Sequence, residues 1–292
     1  MKNYLICMDV SGDVDKNTAQ ENELLFIPME YSFKDDMRLC ESIEDDSVLK
    51  EFYDGQRGGA LTKTTQISPF MYEQFFDKYM KEGNSILYLS LSSGLSTTFE
   101  SACAAKKTLK EKYPDVDLYV VDTLSATGGM GVLCERAFRN RESGMSIEES
   151  YNDLMEERKY VQCRFLVQDL MYLKRGGRIG AGTAVFGTML NIRPILRIDR
   201  YGKLTTTNKK RGNASAVLEL CKQFEIYYID LYRNDVVYIV DADAKEIADE
   251  LEQLVKIVKP EVTIRRRMLS PIIGAHTGPG MVAVCFMGKE QQ

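Results

Sequence analysis

Short β-branched and aromatic runs alternate along this chain with amphipathic stretches of helical period. That alternation confines the fold to the α/β class. Strands are predicted at Tyr4–Met8, Leu24–Ile27, Ile86–Leu91 and Leu118–Val121. The last three end near Pro28, Ser92 and Asp122, at the carboxyl ends where open parallel sheets carry their sites. Ser68-Pro69 reads as an N-cap followed by a first-turn proline and opens a helix that closes near Gly83. Phe99–Lys112 is a second helix, basic at its C-terminal end as the macrodipole favours. Ser146 with Glu149 forms a capping box for a third, running toward Tyr160.

A second set of elements begins near Val161. Strands are expected at Cys163–Val167, Pro194–Ile198, Val236–Val240, Val262–Arg266 and Met281–Phe286, with a turn at Asp199–Gly202. Asn213 is expected to cap a helix reaching about Tyr232, and Asp243 with Glu246 to cap one ending before Pro260. A boundary near residue 160 divides the chain into an N-terminal α/β domain, 1–160, and a C-terminal α/β domain, 161–292. No Pro/Ser linker marks the boundary, which implies two domains in firm contact.

The 44% hydrophobic and 28% charged content suits a chain that buries a real core. Apolar stretches are only of strand length, so no bilayer span is expected, and Asp9 comes too early for a signal-peptide core. Seven cysteines without a C-x-x-C read as reduced thiols, which points to the cytoplasm. No cysteine–histidine cluster has zinc spacing, so neither a metal nor a cofactor is expected. Charge is uneven. Between Leu173 and Arg211 stand ten basic residues and one acid, Asp199, a net of +9, while the rest of the chain carries −14. A basic region on an otherwise acidic protein suits a discrete anionic partner better than nucleic acid. Neither a helix-turn-helix pattern nor aromatic–basic interleaving is present.

Three segments and one side chain carry the functional signal. His276 is the single histidine, set in Gly274-Ala275-His276-Thr277-Gly278-Pro279-Gly280 before an apolar strand. A glycine-rich turn carrying a surface histidine is the plainest reading of it alone. Ser92-Ser93-Gly94-Leu95-Ser96-Thr97-Thr98 puts five hydroxyls before a helix, where unpaired amides and the dipole favour an anionic head group. An N-cap accounts for one of them. Lys63-Thr64-Thr65-Gln66 also precedes a capped helix. Hydroxyls, an amide and one imidazole form a site without formal charge, suited to a carboxylate whose tail needs an apolar cavity. The third segment, Leu173–Gly182, fits neither G-x-G-x-x-G nor a P-loop. Thr183–Leu190 after it is small and apolar, and reads as a cavity lining or a buried helix.

Together these pieces resemble the DegV family, bacterial fatty-acid-binding proteins that present acyl chains to a fatty-acid kinase. Asp9-Val10-Ser11-Gly12-Asp13 is similar to the family's D-S-T-S-D, Lys63–Gln66 to K-T-S-Q, Ser92–Ala102 to S-S-x-L-S-G-T-Y-x-S-A, and Leu173–Ile179 to L-K-x-G-G-R-I. Ile192-Arg193-Pro194-Ile195-Leu196 and His276–Gly280 complete the order. The resemblance implies two α/β domains enclosing a lipid tunnel at their interface. It implies a fatty-acid carboxylate held by Thr64, Thr65, Ser92, Ser93, Ser96 and His276, with Ser93 and Thr65 foremost among the hydroxyls. It also places Arg178 and Arg211 on the face that docks the kinase. Thr65 keeps the hydroxyl of the family's serine, whereas Val10 replaces a serine. Thr97 replaces a glycine and stiffens the backbone beside the anion site.

A rival reading, a serine hydrolase, takes Ser93 or Ser96 with Asp122 and His276 in the chain order of α/β-hydrolases. It lacks the second glycine of a G-x-S-x-G elbow at either serine. The expectation is therefore a non-catalytic lipid carrier.

Overall fold

Ile86–Ser90 (β6) is buried at every position, and the first sheet is built around it. It lies parallel to β1 (Leu5–Asp9) on one side and β7 (Leu118–Asp122) on the other, with β2 (Leu25–Ile27) parallel beyond β1. The resulting order, β2-β1-β6-β7, reverses direction between β1 and β6. Loops leaving those two strands therefore part at their carboxyl ends and open a crevice. The computed structural model describes residues 4–180, 191–229 and 236–291. The stretch Thr183–Leu190 lies outside the described residues.

Helices α3 (Pro69–Met80), α4 (Thr98–Lys112) and α6 (Ile147–Glu157) follow their sequence signals. Ser68 Oγ accepts from Met71 N, and both bonds of the Ser146/Glu149 capping box form. The N-terminal half holds more than those signals promised. Helices α1 (Lys16–Glu21) and α2 (Asp46–Arg57) flank a hairpin, β3 (Met29–Phe33) and β4 (Asp36–Cys40), and β5 (Thr62–Thr64) adds a third antiparallel strand to it. Lys34 and Asp35 both take positive φ at the hairpin turn, 51° and 67°, a demanding geometry for side-chain-bearing residues.

Helix α5 (Gly128–Glu142) was not anticipated either. It belongs to the first half of the chain but packs on β8 (Val161–Leu166), β11 (Val236–Asp241) and β13 (Val282–Met287) of the second sheet. Gly128 and Gly131 make this approach possible, because a side chain at either would strike Tyr238.

The second sheet has the order β10-β9-β8-β13-β11-β12, with β9 at Ile192–Ile198, β10 at Leu204–Arg211 and β12 at Thr263–Met268. All its pairings are antiparallel except β11 with β12. Side chains alternate between two cores, as the pleat requires. Cys163, Phe165, Ile198, Tyr238 and Cys285 lie on the face that α5 covers and join the first sheet in one continuous core. Leu166, Ile195, Val237, Ile239 and Phe286 face α8 (Asn213–Tyr227) and α9 (Lys245–Val258) on the other side.

Two expected caps are displaced. Gly212, not Asn213, precedes α8, because Asn213 Oδ1 accepts from Arg193 Nε. At α9 the carboxylate of Asp241 accepts from Ala244 N, while Asp243 turns to Arg57. His276 also differs from the plain reading. It sits in the last turn of a short helix, α10 (Pro271–Thr277), and the positive φ of Gly278 and Gly280 returns the chain to β13. Among the described residues no helix is long and apolar enough to cross a membrane.

Candidate functional site

At the carboxyl end of β1, Asp9 stitches the crevice together. Its carboxylate accepts from Ser11 N, from Tyr88 Oη at 2.8 Å and from Leu91 N at 2.9 Å. Burial raises its pKa despite these donors. The following turn is pinned from above by the hairpin between β9 and β10. Ser92 Oγ donates to Gly202 O at 2.9 Å, and a side chain at Gly94 would strike Tyr201 O and Gly202. Ser93 turns the other way, its Oγ donating to Asp122 Oδ2 at 2.6 Å. Asp122 Oδ1 holds the two loop amides, Ser93 N and Leu124 N. Ser96 Oγ meets Thr98 Oγ1 at 2.8 Å and accepts from Thr98 N, so this serine covers the start of α4.

The two hydroxyl-rich segments meet through Gln66. Its Nε2 donates to Ser101 Oγ at 2.7 Å, and its Oε1 accepts from Thr97 Oγ1. Thr64, at the end of β5, points to α10 and hydrogen-bonds His276 Nε2 at 2.8 Å. The ring lies against the backbone of Gly176, where a side chain would collide with Nδ1. That explains one glycine of the Leu173–Ile179 segment by close approach. His276 Nδ1 is buried without a protein partner. Burial, aided by the charge of Arg178, lowers the His276 pKa to about 4, so the imidazole is neutral at pH 7.

Arg178 corrects the expectation of a site without formal charge. Its Nε donates to Leu95 O at 3.1 Å and its Nη1 to Gly176 O, and burial lowers its pKa. No carboxylate neutralises it among the described residues.

These groups line a cavity of about 430 Å³ between the two large sheets. Thr64, Thr65, Ser93, Ser96, Arg178 and His276 all line it, and Leu91, Phe165, Leu173, Ile198, Leu204 and Met281 add apolar surface. The size and the few convergent polar groups are those of a small-molecule site. Ser92 is not among the lining residues, its hydroxyl being committed to Gly202. Arg211 stands exposed at the far end of β10, away from the cavity.

Sequence reasoning missed Thr127, whose φ of 49° is unusual for a β-branched residue. It lines the cavity, and its Oγ1 donates to Asp13 Oδ2 at 2.6 Å. The signal was present in Thr123-Leu124-Ser125-Ala126-Thr127-Gly128-Gly129, another hydroxyl- and glycine-rich turn between strand and helix. Asp13 also accepts from Ser270 N at 3.0 Å, tying the N-terminal motif to the entry of α10.

Comparison with known proteins identifies the family. The model of the DegV family, described as an uncharacterised protein family, matches residues 4–289. The chain belongs to the DegV family. A DegV domain-containing protein of Clostridium perfringens, CPE0026, is 32% identical over 293 residues, covering 100% of both chains. Among solved structures, the DegV lipid-binding protein TM1468 of Thermotoga maritima superposes with a TM-score of 0.82 at 28% identity, covering 100% of both chains. Protein TM841 of the same organism, whose structure revealed a fatty-acid-binding function, gives 0.83 at 27% identity, covering 99% of this chain and 100% of that one. The two-sheet α/β architecture is therefore that of this DegV family.

Proposed function

We propose that this protein binds a long-chain fatty acid and presents its head group to a fatty-acid kinase for phosphorylation. The observation that carries the reading is the chemistry of the 430 Å³ cavity: apolar along most of its wall, with hydroxyls, the Arg178 guanidinium and the His276 imidazole among its lining. Each methylene of an acyl tail moved from water into that apolar part contributes about 0.8 kcal/mol. The carboxylate is met by Arg178, by the hydroxyls of Thr64, Thr65, Ser93 and Ser96, and by the neutral ring of His276. Ser92 supports them by holding the β9–β10 hairpin over the turn. The parts 1–160 and 161–292 act as two domains that enclose the ligand at their interface, with Thr64 of one bonded to His276 of the other. The surface offered to the kinase carries Arg211, exposed on β10, and Arg178, which also lines the cavity. Fatty-acid binding by TM841 supports the ligand class, and the family resemblance supports the kinase.

The protein acts as a carrier rather than as a hydrolase. A serine triad needs the imidazole between serine and aspartate. Here Asp122 bonds Ser93 directly, and the hydrogen bond of His276 goes to Thr64.

Titration of delipidated protein with oleate and with methyl oleate tests the reading. A charge-assisted hydrogen bond is worth about 1.5–3 kcal/mol, so the ester is expected to bind about tenfold or more weakly. Equal affinities would remove the head-group assignment, and no affinity for either would remove the carrier.

A further inference from the structure

Cys163 and Cys285 take no part in the binding described above. They stand directly opposite each other on the antiparallel strands β8 and β13. Such neighbours have Cα atoms about 4.5 or 5.5 Å apart, inside the range of about 4.4–6.8 Å that a disulfide spans. Both are free thiols, and their sulfurs are already in contact, the Cys285 thiol donating to Cys163 Sγ at 3.3 Å. Rotation of the side chains is enough to bring them to bonding distance. At 2% and 0% exposure neither is reached from the outer surface. Cys163, however, lines the 430 Å³ cavity, and it is the only cysteine among the described lining residues. An oxidant therefore reaches the pair through that cavity. Phe165, Ile198, Leu204 and Met281 share its wall, so an oxidant carried on an acyl chain suits it better than a polar one.

We propose that Cys163 and Cys285 form a dithiol that reduces a peroxidised fatty acid held in the cavity, yielding the hydroxy acid, water and a Cys163–Cys285 disulfide. This activity rests on the fatty-acid reading given above and adds a reaction to it. Cys163 Sγ attacks the terminal oxygen of the hydroperoxide. An S–O bond forms, the O–O bond breaks, and the departing alkoxide takes the Cys163 proton. Cys285 Sγ then attacks the sulfur of the Cys163 sulfenic acid, and the hydroxide it expels leaves as water with the Cys285 proton. The two thiols supply two electrons, and the peroxide accepts both. Burial holds the Cys285 thiol well above its ordinary pKa, and buried thiols are inert toward aqueous oxidants. A peroxide tethered by its own acyl tail beside Cys163 offsets that inertness through effective concentration.

Delipidated, reduced protein mixed with an equimolar amount of linoleic acid hydroperoxide tests this. One hydroxy acid per chain is expected, together with a linked pair of Cys163 and Cys285 peptides found by mass spectrometry without reductant. Saturating palmitate is expected to slow the reaction by about tenfold or more, and hydrogen peroxide at equal concentration to react slower by a similar factor. Cys285→Ala is expected to stop at the Cys163 sulfenic acid, trapped with dimedone, and Cys163→Ala to leave the hydroperoxide unreduced. Palmitate binding reports that each variant is folded; should either fail to fold, the linked peptides and the palmitate protection of the parent decide. Hydroperoxide that is bound but not reduced overturns the proposal, as does oxidation confined to Met29 and Met281, which also line the cavity. Equal rates with hydrogen peroxide, or no protection by palmitate, overturn it as well. A parent that binds neither palmitate nor the hydroperoxide overturns the fatty-acid reading and this activity with it, whereas failure of the activity alone leaves palmitate binding intact.

Discussion

Gly176→Ala tests whether the His276 ring is positioned by contact with a glycine backbone. Gly176 has φ −71° and ψ −9°, a right-handed geometry that alanine adopts freely. On backbone grounds the substitution stabilises, by about 0.4–1 kcal/mol, through the unfolded state. Against this, the added methyl group meets His276 Nδ1 at a distance no real contact allows. Overpacking of this kind costs about 1–3 kcal/mol. A ring displaced from Thr64 also forfeits a hydrogen bond worth about 0.5–1.5 kcal/mol. The net expectation is a loss of about 0.5–4 kcal/mol, centred near 2, together with weaker retention of ligand. The decisive comparison is the same change in a His276→Ala background, where the methyl has room. There Gly176→Ala becomes neutral or mildly stabilising. Urea unfolding followed by far-ultraviolet circular dichroism reads all four proteins of the cycle. Gly177→Ala serves as a control, because its φ of 71° strains alanine while nothing lies within 4 Å of the new methyl. Its cost is the same in both backgrounds. An equal effect of Gly176→Ala with and without the imidazole would refute the contact.

Acid stability carries two opposed contributions. His276, lowered from 6.5 to about 4, gives stability that is complete above pH 6.5 and lost as pH falls toward 4, because the unfolded chain takes up the proton first. Asp13, raised by burial from 3.8 to about 6, gives stability that is complete below 3.8 and lost as pH rises through 6. The slopes cancel between about pH 4 and 6, so Asp13→Asn steepens the loss of stability on acidification there by about 1.4 kcal/mol per pH unit. Urea midpoints measured against pH check this, and parallel curves for parent and variant contradict it. Ser93→Ala removes a cavity hydroxyl and leaves Asp122 bonded to the loop amides; the protein stays folded with a melting temperature lower by a few degrees, bound acid is retained less well, and equal lipid occupancy in the two proteins counts against the role. Nitrophenyl esters are expected to show the same turnover with parent and Ser93→Ala, whereas turnover lost in the variant would revive the hydrolase.

The parallel strands were legible because burial on both faces writes them as continuous apolar runs, as Ile86–Leu91 shows. Local chemistry was equally direct at Ser68-Pro69 and at the Ser146/Glu149 box. Where the sequence misled, a tertiary partner had overridden a local preference. Asn213 is a good cap by type, but Arg193 claims its side chain. Helix α5 escaped notice because Gly128, Gly129 and Gly131 read as breakers, whereas in three dimensions they are what lets the helix touch the second sheet. The Lys34–Asp35 turn lacks the asparagine–glycine signal its geometry normally requires. At the site, the hydroxyl-rich segments and the lone histidine were visible as anomalies of composition. That Ser92 turns outward to Gly202 and Arg178 inward to the cavity was not visible, since both follow from packing between parts of the chain more than 80 residues apart.

Mass spectrometry of the purified protein under native conditions, repeated after denaturation and solvent extraction, bears most directly on fatty-acid binding. A co-purified mass equal to a long-chain fatty acid, released only on unfolding, is the expected result and identifies the acyl chain. A ligand-free protein that also takes up neither oleate nor palmitate would contradict the account.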